Sequence, residues 1–283
     1  MNTPTADSHI QDPVFIIQPT RGWGRLGLHE IWDYRDLLYF LLWREIKGRY
    51  KQMALGPLWI VLRPLFNMLL FTLIFSMVAK LPSDGLPYPI FTYTALLPWT
   101  FFAGAVMGAS NSLLANRHLI TKVYFPRLIV PIVSVLSGLI DFSISFVILL
   151  GMMAFYGYAP SWGILWLPVY LLLAAVTALT VGLWAATWIV HYHDVGEILS
   201  YLIRGWMYAT PVVYAVSIIP EGWQSLYRFN PMTNVIEGFR WALLGSGQTP
   251  DKFLALSALL VLPCFIAGAF YFRRTERTIV DIA

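Results

Sequence analysis

Long apolar runs that carry almost no charge constrain this sequence more than any other feature. A helix of about 20 residues is needed to cross a bilayer core of about 30 Å. A backbone in lipid must also satisfy its own hydrogen bonds, and a helix does so within one segment. Runs of this kind lie at residues 58–79, 90–114, 128–155, 164–190, 199–217 and 253–272. The sequence therefore predicts an all-α integral membrane protein with six transmembrane helices.

The composition excludes an ordinary soluble domain. Of the 283 residues, 58% are hydrophobic and 12% are charged, and the mean hydropathy is +0.65. Soluble domains carry about 25% charged residues, so this chain lacks the charge to cover a surface in water. The 12 Trp and 15 Tyr residues agree with this conclusion, because both side chains favour the bilayer interface.

The distribution of Lys and Arg predicts how the chain is oriented in the membrane. These residues are retained on the cytoplasmic side of a bilayer, and an even number of spans places both termini on one side. With both termini in the cytoplasm, only Lys80, Arg228, Arg240 and Lys252 of the 19 Lys and Arg residues lie outside. The opposite orientation would invert that bias. We therefore predict that both termini are cytoplasmic.

Polar segments flank the predicted spans. Residues Met1–Gly27 predict a flexible cytoplasmic tail, and Arg273–Ala283 predicts a second, charged one. Between the first tail and the first span, Leu28–Met53 interleaves basic residues with an apolar stripe at helical spacing. The stripe consists of Leu37, Leu38, Leu41, Leu42 and Ile46. This pattern predicts an amino-terminal amphipathic helix in the membrane interface, with its basic face toward anionic headgroups.

A basic segment, Asn116–Arg127, separates the second and third predicted spans. It contains Arg117, Lys122 and Arg127, whereas neither neighbouring run contains a Lys or Arg. Its apolar residues recur at spacings of one, three and four, which predicts a short surface helix closed by Pro126. They are Leu119, Ile120, Val123 and Tyr124. Two interpretations remain open: an ordinary loop with anchoring charges, and a docking helix for a cytoplasmic partner.

The region Ile218–Lys252 is mixed in character, and the helix that it can form is too short to cross the bilayer. Asn230-Pro231 can begin a helix, and Gly245 can end it. We predict two re-entrant half-helices on the outer side, Ile219–Phe229 and Pro231–Leu244, which requires that they be shielded by protein or line a cavity. A surface helix on the outer leaflet is the alternative.

Few charged residues fall inside the predicted spans. Asp141 lies near the middle of the third span, where a charge is costly unless it is paired or hydrated. Arg63 and Arg204 are its candidate partners, and a structural ion pair is favoured over a proton relay. In the outer region, Glu237 and Arg240 are three residues apart and can pair locally or touch a substrate, with the local pair favoured.

Motifs for catalysis and for nucleotide binding are absent from the sequence. His191, His193, Asp194 and Glu197 lack the spacing of metal ligands, so we predict no metal site. Neither a phosphate-binding Gly-x-x-x-x-Gly-Lys-Ser/Thr loop nor a Gly-x-Ser-x-Gly elbow occurs. The sequence therefore predicts no catalytic residue, and any energy that the protein uses comes from elsewhere.

The first and fifth spans are rich in aromatic residues. These are Trp59, Phe66, Phe71 and Phe75, followed by Trp206, Tyr208 and Tyr214. Aromatic rings of this kind pack between helices or lie in the aromatic belt. They could also stack on the apolar faces of sugars in a pore, but on the residues alone helix packing is the favoured interpretation.

Several motifs resemble the permease subunit of type-2 ABC polysaccharide exporters, and they occur in the order found in that family. They are Arg44-Glu45-Ile46-Lys47-Gly48-Arg49-Tyr50, Leu55-Gly56-Pro57-Leu58-Trp59, Leu97-Pro98-Trp99-Thr100-Phe101-Phe102, Asn116–Arg127, His193-Asp194-Val195, Asn230-Pro231-Met232 and Glu276–Ala283. The resemblance runs from about Ile31 to the end of the chain. Its nearest branch exports O-antigen and related lipid-linked polysaccharides.

The resemblance implies a homodimeric permease in the bacterial inner membrane, bound to two copies of a cytoplasmic ATPase that holds ATP and Mg²⁺. It implies a pore made by the first and fifth spans and an outer gate at Asn230, Pro231, Glu237 and Arg240. The implied ATPase-coupling residues are Asn116, Leu119, Ile120, Lys122, Val123, Tyr124, Phe125, Arg127, Asp194 and Glu197. The expected substrate is an undecaprenyl-diphosphate-linked polysaccharide, whose headgroup Arg44, Lys47 and Arg49 would attract.

Other functions are compatible with parts of the pattern. Export of capsule or of teichoic acid stays open, because the permeases of these pathways look alike. A polytopic membrane enzyme, such as a glycan ligase, would need an outward cluster of Arg, His or carboxylates, and the outer loops hold few of these residues. A passive or ion-driven channel would need more intramembrane charge than Asp141 supplies.

Overall fold

The structure is a computed structural model that describes residues 28–50, 58–192 and 194–282. Within these ranges the chain forms helices joined by turns. They are α1 (Leu28–Asp33), α2 (Arg35–Tyr50), α3 (Leu58–Phe71), α4 (Tyr88–Ala115), α5 (Arg117–Ile120), α6 (Ile129–Tyr156), α7 (Leu167–His191), α8 (Asp194–Tyr208), α9 (Glu221–Arg228), α10 (Pro231–Leu244) and α11 (Lys252–Ile282). The predicted tail Met1–Gly27, residues 51–53 of the predicted interfacial helix and His193 lie outside the described residues.

Five helical segments of the described chain are long and apolar enough to cross a membrane. They are Leu58–Val78, Tyr88–Ala115, Ile129–Tyr156, Trp162–His191 and Lys252–Thr275. The first consists of α3 and a π-helical continuation, Thr72–Val78. The fourth begins with a 3-10 turn, Trp162–Trp166, that leads into α7. The chain is therefore a multi-pass membrane protein.

The fifth predicted span, residues 199–217, is not a single spanning helix. In its place α8 begins five residues earlier, at Asp194, and ends at Tyr208 after 15 residues. A helix of that length extends about 22 Å, which is short of the hydrocarbon core. Pro211 explains the early end, since it has no backbone N–H and disfavours helical geometry at Thr210 before it. The apolar run is long enough to span the membrane, but Pro211 prevents it from forming one continuous helix.

Helix α4 forms the centre of the bundle. It packs against α3, α6, α7, α8 and α10, and α11 packs on the far side of α7. The contact of α4 with α7 is close, because a Cβ added at Gly182 would lie 2.5 Å from Cβ of Ala109. Burial of a small residue at this point lets the two helices approach each other and fixes their relative position.

A second apolar cluster lies where α2, α5, α6 and α11 meet. We call it the α2–α5 cluster, and its buried members include Leu41, Ile120, Phe125, Ile129, Val133 and Phe272. Nearby, Arg273 of α11 donates to Glu30 of α1 at 2.9 Å. Both ends of the described chain therefore lie at the same end of the bundle. Since α11 continues to Ile282, the predicted tail Arg273–Ala283 is helical over its described length.

Candidate coupling and transport surfaces

The basic segment Asn116–Arg127 contains a much shorter helix than the sequence predicts. Helix α5 ends at Ile120, and turns rather than helix occupy the residues up to Pro126. Ile120 and Phe125 are buried in the α2–α5 cluster, which holds the segment against the bundle. Both belong to the predicted ATPase-coupling residues, and their burial places them beneath the exposed part of the segment.

The exposed part of the same segment is small and well defined. Lys122 is exposed, and Val123 and Tyr124 are 50% and 73% exposed. Leu119 and Arg127 are half-buried. An exposed aromatic ring and an exposed aliphatic side chain beside a cation form a compact apolar and basic surface. The predicted coupling residues Asp194 and Glu197, at the start of α8, are exposed as well.

The predicted headgroup-binding cations occupy three different environments. Arg44 donates to Oδ1 of Asn116, at the junction of α4 and α5. Lys47 is exposed. Arg49 is half-buried, and its guanidinium Nη1 lies 2.8 Å from Oδ2 of Asp141. Asp141 therefore pairs with Arg49 of α2, and the two predicted partners, Arg63 and Arg204, were wrong.

The two arginines within the apolar helices face outward instead. Arg63 is exposed on α3, with its guanidinium carbon 5.9 Å from the centre of the Trp59 ring. Arg204 is exposed on α8, 5.7 Å from the centre of the Tyr201 ring. Each cation thus lies beside an aromatic ring of its own helix, in cation–π contact. Both faces carry charge where a lipid-facing helix would be apolar throughout.

The predicted pore aromatics divide into exposed and packed residues. Trp59, Phe66 and Tyr208 are 40%, 63% and 53% exposed. The others contact protein: Phe71 packs edge-on against Phe75 at 5.8 Å between ring centroids. The Trp206 ring lies 5.2 Å from that of Phe102 in α4, and the Tyr214 hydroxyl donates to the backbone O of Tyr208. Packing thus explains the second group, whereas the exposed group stays available to a ligand or a second subunit.

Helix α10 has the bounds that its caps predict. Asn230 accepts a hydrogen bond from the backbone N of Met232, and Pro231 is the first helical residue. Gly245 ends the helix with a φ of +69°. Asn230 also accepts from Nε1 of Trp206 and donates to Oγ1 of Thr210. This one side chain therefore joins the start of α10 to the end of α8.

Glu237 and Arg240 form a fully buried pair inside α10. Their side chains are 8% and 1% exposed, and Arg240 Nη1 lies 2.9 Å from Glu237 Oε1. The local pairing favoured by the sequence is therefore correct. Burial raises the pKa of the Glu237 carboxyl, and the Arg240 guanidinium opposes that shift. The guanidinium carbon also lies 3.7 Å from the centre of the Phe91 ring in α4.

Arg240 also reaches the backbone that follows α8. Its Nη2 donates to the carbonyl O of Val212 at 2.9 Å, and Nη1 lies 3.5 Å from that of Tyr214. The Tyr88 hydroxyl donates to the carbonyl O of Val213. These contacts supply donors to carbonyls of the non-helical segment after α8, whose residues 210–213 are all buried. No sequence pattern indicated this role of Tyr88, because its target is a backbone atom.

Sequence reasoning also missed Glu45 and Ser137, which both contact Arg49. A signal was present, since Glu45 and Arg49 are four residues apart on one helix, as are Ser137 and Asp141 on another. Nothing in the sequence showed that these two pairs meet. Their meeting depends on how α2 packs on α6, which no local pattern specifies.

The described helices form a multi-pass membrane protein that exposes arginines and aromatic rings together on α3 and α8. The chain belongs to the ABC-2 type transporter family, whose profile matches residues 36–244. It is therefore a transport subunit and not an enzyme.

Known proteins are similar to this chain over most of its length. An O-antigen export system permease protein RfbA of Myxococcus xanthus is 33% identical over 254 residues, which cover 88% of this chain and 96% of that protein. An RfbA of Klebsiella pneumoniae is 29% identical over 248 residues, 87% of this chain and 95% of that protein. The polysialic acid transport protein KpsM of Escherichia coli is 23% identical over 244 residues, 83% of this chain and 92% of that protein.

Proposed function

We propose that this chain is the permease of an ATP-driven exporter that moves an O-antigen-like polysaccharide, linked to undecaprenyl diphosphate, across the bacterial inner membrane. The relatives named as O-antigen export permeases support the polysaccharide class, because the similarity extends over nearly the whole of both chains. The lipid carrier follows from the resemblance of the sequence motifs to lipid-linked polysaccharide exporters.

The exposed faces of α3 and α8 are the observation that carries the transport role. On α3, Trp59, Arg63, Phe66 and Asn67 are exposed along one side. On α8, Glu197, Tyr201, Arg204 and Tyr208 recur at spacings of three and four, and all are exposed. Charged groups in a span face a water-filled cavity or a protein partner rather than lipid. Polar groups mixed with ring faces suit a hydrated glycan, which binds through hydroxyls and apolar faces.

A second copy of the chain completes the channel in this proposal. In one protomer, Pro64 and Met68 are the buried residues of the first span, Leu58–Val78, whereas 19 of the 28 residues of Tyr88–Ala115 are buried. Both α3 and α8 pack on α4, so their exposed faces flank the same central helix. A two-fold partner that covers these faces would enclose a channel lined by α3, α8 and their copies.

The proposed topology places both termini in the cytoplasm, with the end of the bundle that holds α5 on the cytoplasmic side. The excess of Lys and Arg at that end supports it. Five helices span the membrane, and α8 with the segment after it, which reaches the start of α4 through the contact of Val213 with Tyr88, makes the sixth crossing. Two copies of a cytoplasmic ATPase then dock at the surface formed by Lys122, Val123 and Tyr124. They supply ATP and Mg²⁺ binding. On the outer side, α9 and α10 form the gate, with α10 buried against α4 and α7.

Reconstitution with the partner ATPase tests the function. The permease and the ATPase encoded beside it would be purified together, placed in vesicles and supplied with lipid-linked glycan. We expect tight co-purification, and ATP hydrolysis that rises severalfold when the glycan is present. A permease that associates with no ATPase would overturn the proposal. Helix packing would then be the favoured explanation of the exposed aromatic side chains.

Two substitutions at the exposed coupling surface test its assignment. Lys122→Glu together with Tyr124→Ala should lower glycan-stimulated ATP hydrolysis at least tenfold, while the chain still accumulates in the membrane. Neither side chain supports the fold, because both are exposed. Lys80→Glu is the matched control: it makes the same charge change at an exposed residue on the opposite end of the bundle. Unchanged stimulation in the double variant would exclude this surface as the docking site.

Capsule export is the second candidate, and the similarity to the polysialic acid transport protein supports it. The two candidates differ in the lipid and the sugar that the chain accepts. Vesicles that contain undecaprenyl-diphosphate-linked O-antigen or a capsular polysaccharide on its own lipid distinguish them. Stimulation of ATP hydrolysis by the capsular substrate alone would favour capsule export.

A further inference from the structure

Arg49 joins α2 to the middle of α6 through a network of side-chain contacts. Its Nη1 lies 2.8 Å from Oδ2 of Asp141, and its Nη2 lies 2.7 Å from Oγ of Ser137 and 2.9 Å from Oε1 of Glu45. Ser137 in turn donates to Glu45 at 3.0 Å. We call these four residues, Glu45, Arg49, Ser137 and Asp141, the Arg49 clamp. Each helix contributes two of them, one turn apart.

The clamp has a fixed register. Glu45 contacts Ser137 and Arg49 contacts Asp141, and both pairs are 92 positions apart in sequence. Leu41 and Val133, which differ by the same number, lie together in the α2–α5 cluster. The same offset in two contacts one turn apart, about 6 Å of helix, means that α2 runs parallel to α6. A helix lying flat across α6 would meet it at one point only.

The other contacts of α2 lead to the candidate coupling segment. Arg44 donates to Asn116, where α5 begins. Leu41 shares the α2–α5 cluster with Ile120 and Phe125, the two side chains that hold that segment in place. Helix α2 therefore touches the segment on one side and the middle of α6 on another.

The two predicted headgroup cations of this part of α2 differ in their contacts. Arg49 is half-buried and is engaged by Glu45, Ser137 and Asp141, whereas Lys47 is exposed. The contacts of Arg49 therefore give it a role between helices, whether or not a headgroup also approaches it.

We propose that Arg49 is a positioning residue that makes α2 and the first half of α6 one rigid unit, so that a displacement of the α5 segment reaches the middle of the membrane. This proposal rests on the proposed function, since the segment is displaced only if an ATPase docks there. Hydrogen bonds from one guanidinium to two carboxylates and a hydroxyl hold both helices in one geometry. Helix α2 then transmits movement along its length.

Cross-linking within the clamp tests whether the unit stays intact during transport. Glu45→Cys and Ser137→Cys would be combined with Cys264→Ser, because Cys264 is exposed and free. The full permease with its ATPase, in vesicles, would be joined by a short, reducible methanethiosulfonate cross-linker. We expect a cross-linked permease that retains at least half of the export seen after reduction of the same sample. Export that falls tenfold on cross-linking and returns on reduction would overturn the proposal.

A charge swap supplies a second test. Arg49→Asp and Asp141→Arg, made singly, should each lower the amount of glycan exported per ATP hydrolysed at least tenfold. The double swap should bring this ratio back to within threefold of the unaltered protein. When the glycan-stimulated part of ATP hydrolysis alone is counted, misfolded permease contributes to neither quantity, so the ratio is insensitive to loss of folded protein. Arg35→Asp, an exposed cation of α2 outside the clamp, is the control and should change the ratio less than twofold.

The outcomes separate the two proposals. A double swap that performs no better than the single variants would overturn the clamp, because a headgroup-binding arginine cannot be moved to α6. Failure of the cross-link to form would also overturn the clamp alone. If the unaltered permease shows no ATP-dependent export while the cross-link forms readily, the proposed function is wrong. The contact between α2 and α6 would still be supported.

Discussion

The Arg49 clamp and the Glu237–Arg240 pair use the same chemistry in opposite settings. In each, an arginine lies within 2.9 Å of a carboxylate and makes further hydrogen bonds. The Glu237 and Arg240 side chains are 8% and 1% exposed, whereas Arg49 and Asp141 are 34% and 33% exposed. The buried pair lies within one helix, and the clamp joins two helices that are far apart in sequence.

The difference shows two uses of an ion pair in a membrane protein. Arg240 donates hydrogen bonds to backbone carbonyls after the end of α8, where the chain is buried. It therefore stabilises a non-helical segment inside the helical bundle. Removing one partner there leaves an uncompensated buried charge. Arg49 is more exposed than Arg240, so its loss should cost less stability. The buried pair therefore contributes mainly to stability within one part of the fold, whereas the clamp joins two helices that are distant in sequence.

The largest expected effect comes from Arg240→Met, which removes the cation and leaves Glu237 buried. We expect a loss of about 3–5 kcal/mol in the free energy of unfolding, because the remaining carboxylate has no counter-charge. Unfolding of the detergent-solubilised chain by denaturant measures it. The double variant with Glu237→Met should cost about 1–3 kcal/mol, because only the carbonyls of the segment after α8 lose their donor. Equal losses in both variants would show that charge is not the cause.

Gly238→Ala tests how tightly the buried pair is enclosed. A Cβ at this position would lie 2.2 Å from Cζ of Tyr170, whose side chain is 1% exposed. Overpacking of this kind costs about 1–3 kcal/mol. Gly151→Ala in α6 is the matched control, since nothing lies within 4 Å of its Cβ and alanine is the better helix former. A thermal unfolding temperature that changes alike in both variants would contradict close packing around α10.

Asp141→Asn weakens the clamp without removing its shape. The amide oxygen can still accept a hydrogen bond from Arg49, and Glu45 retains its contact with the same guanidinium. We expect a loss of about 1 kcal/mol, since a charged acceptor is replaced by a neutral one at a partly hydrated site. The same denaturant titration measures it. A loss as large as that of Arg240→Met would remove the distinction between the two regions.

The smallest effect is expected from Glu30→Gln. Glu30 pairs with Arg273 at 2.9 Å, but the two side chains are 50% and 27% exposed. Exposed ion pairs contribute about 0.5 kcal/mol, and salt screens them. The difference from the unaltered protein should therefore shrink further in high salt. A loss in the free energy of unfolding that grows or stays constant with salt would show that this pair is shielded from solvent, as the Glu237–Arg240 pair is.

Local patterns in the sequence predicted the helices well and their meeting points poorly. The bounds Pro231–Leu244 followed from Asn230, Pro231 and Gly245, because cap chemistry is encoded within a few residues. Five apolar runs became long apolar helices for the same local reason. The hydropathy pattern predicted the wrong bounds for α8, because it does not take account of the helix-breaking effect of Pro211.

The candidate site was predicted in its residue types more than in its geometry. The basic segment Asn116–Arg127 was recognised, but the sequence did not show that Ile120 and Phe125 are buried beneath it. The partner of Asp141 was missed because it is 92 residues away and lies on a helix assigned to the surface. Pairings of this kind depend on tertiary packing, on which hydropathy and spacing carry no information.

The separation between Arg49 and Asp141 has a consequence for how the protein is made. A ribosome adds about 5–20 residues per second, so α2 is complete roughly 5–20 s before residue 141 is synthesised. During that interval Ser137 and Asp141 are not yet synthesised, and Glu45, one turn earlier on α2, is the clamp residue that the Arg49 guanidinium can contact. The contacts that join α2 to α6 therefore form only after α6 has been synthesised.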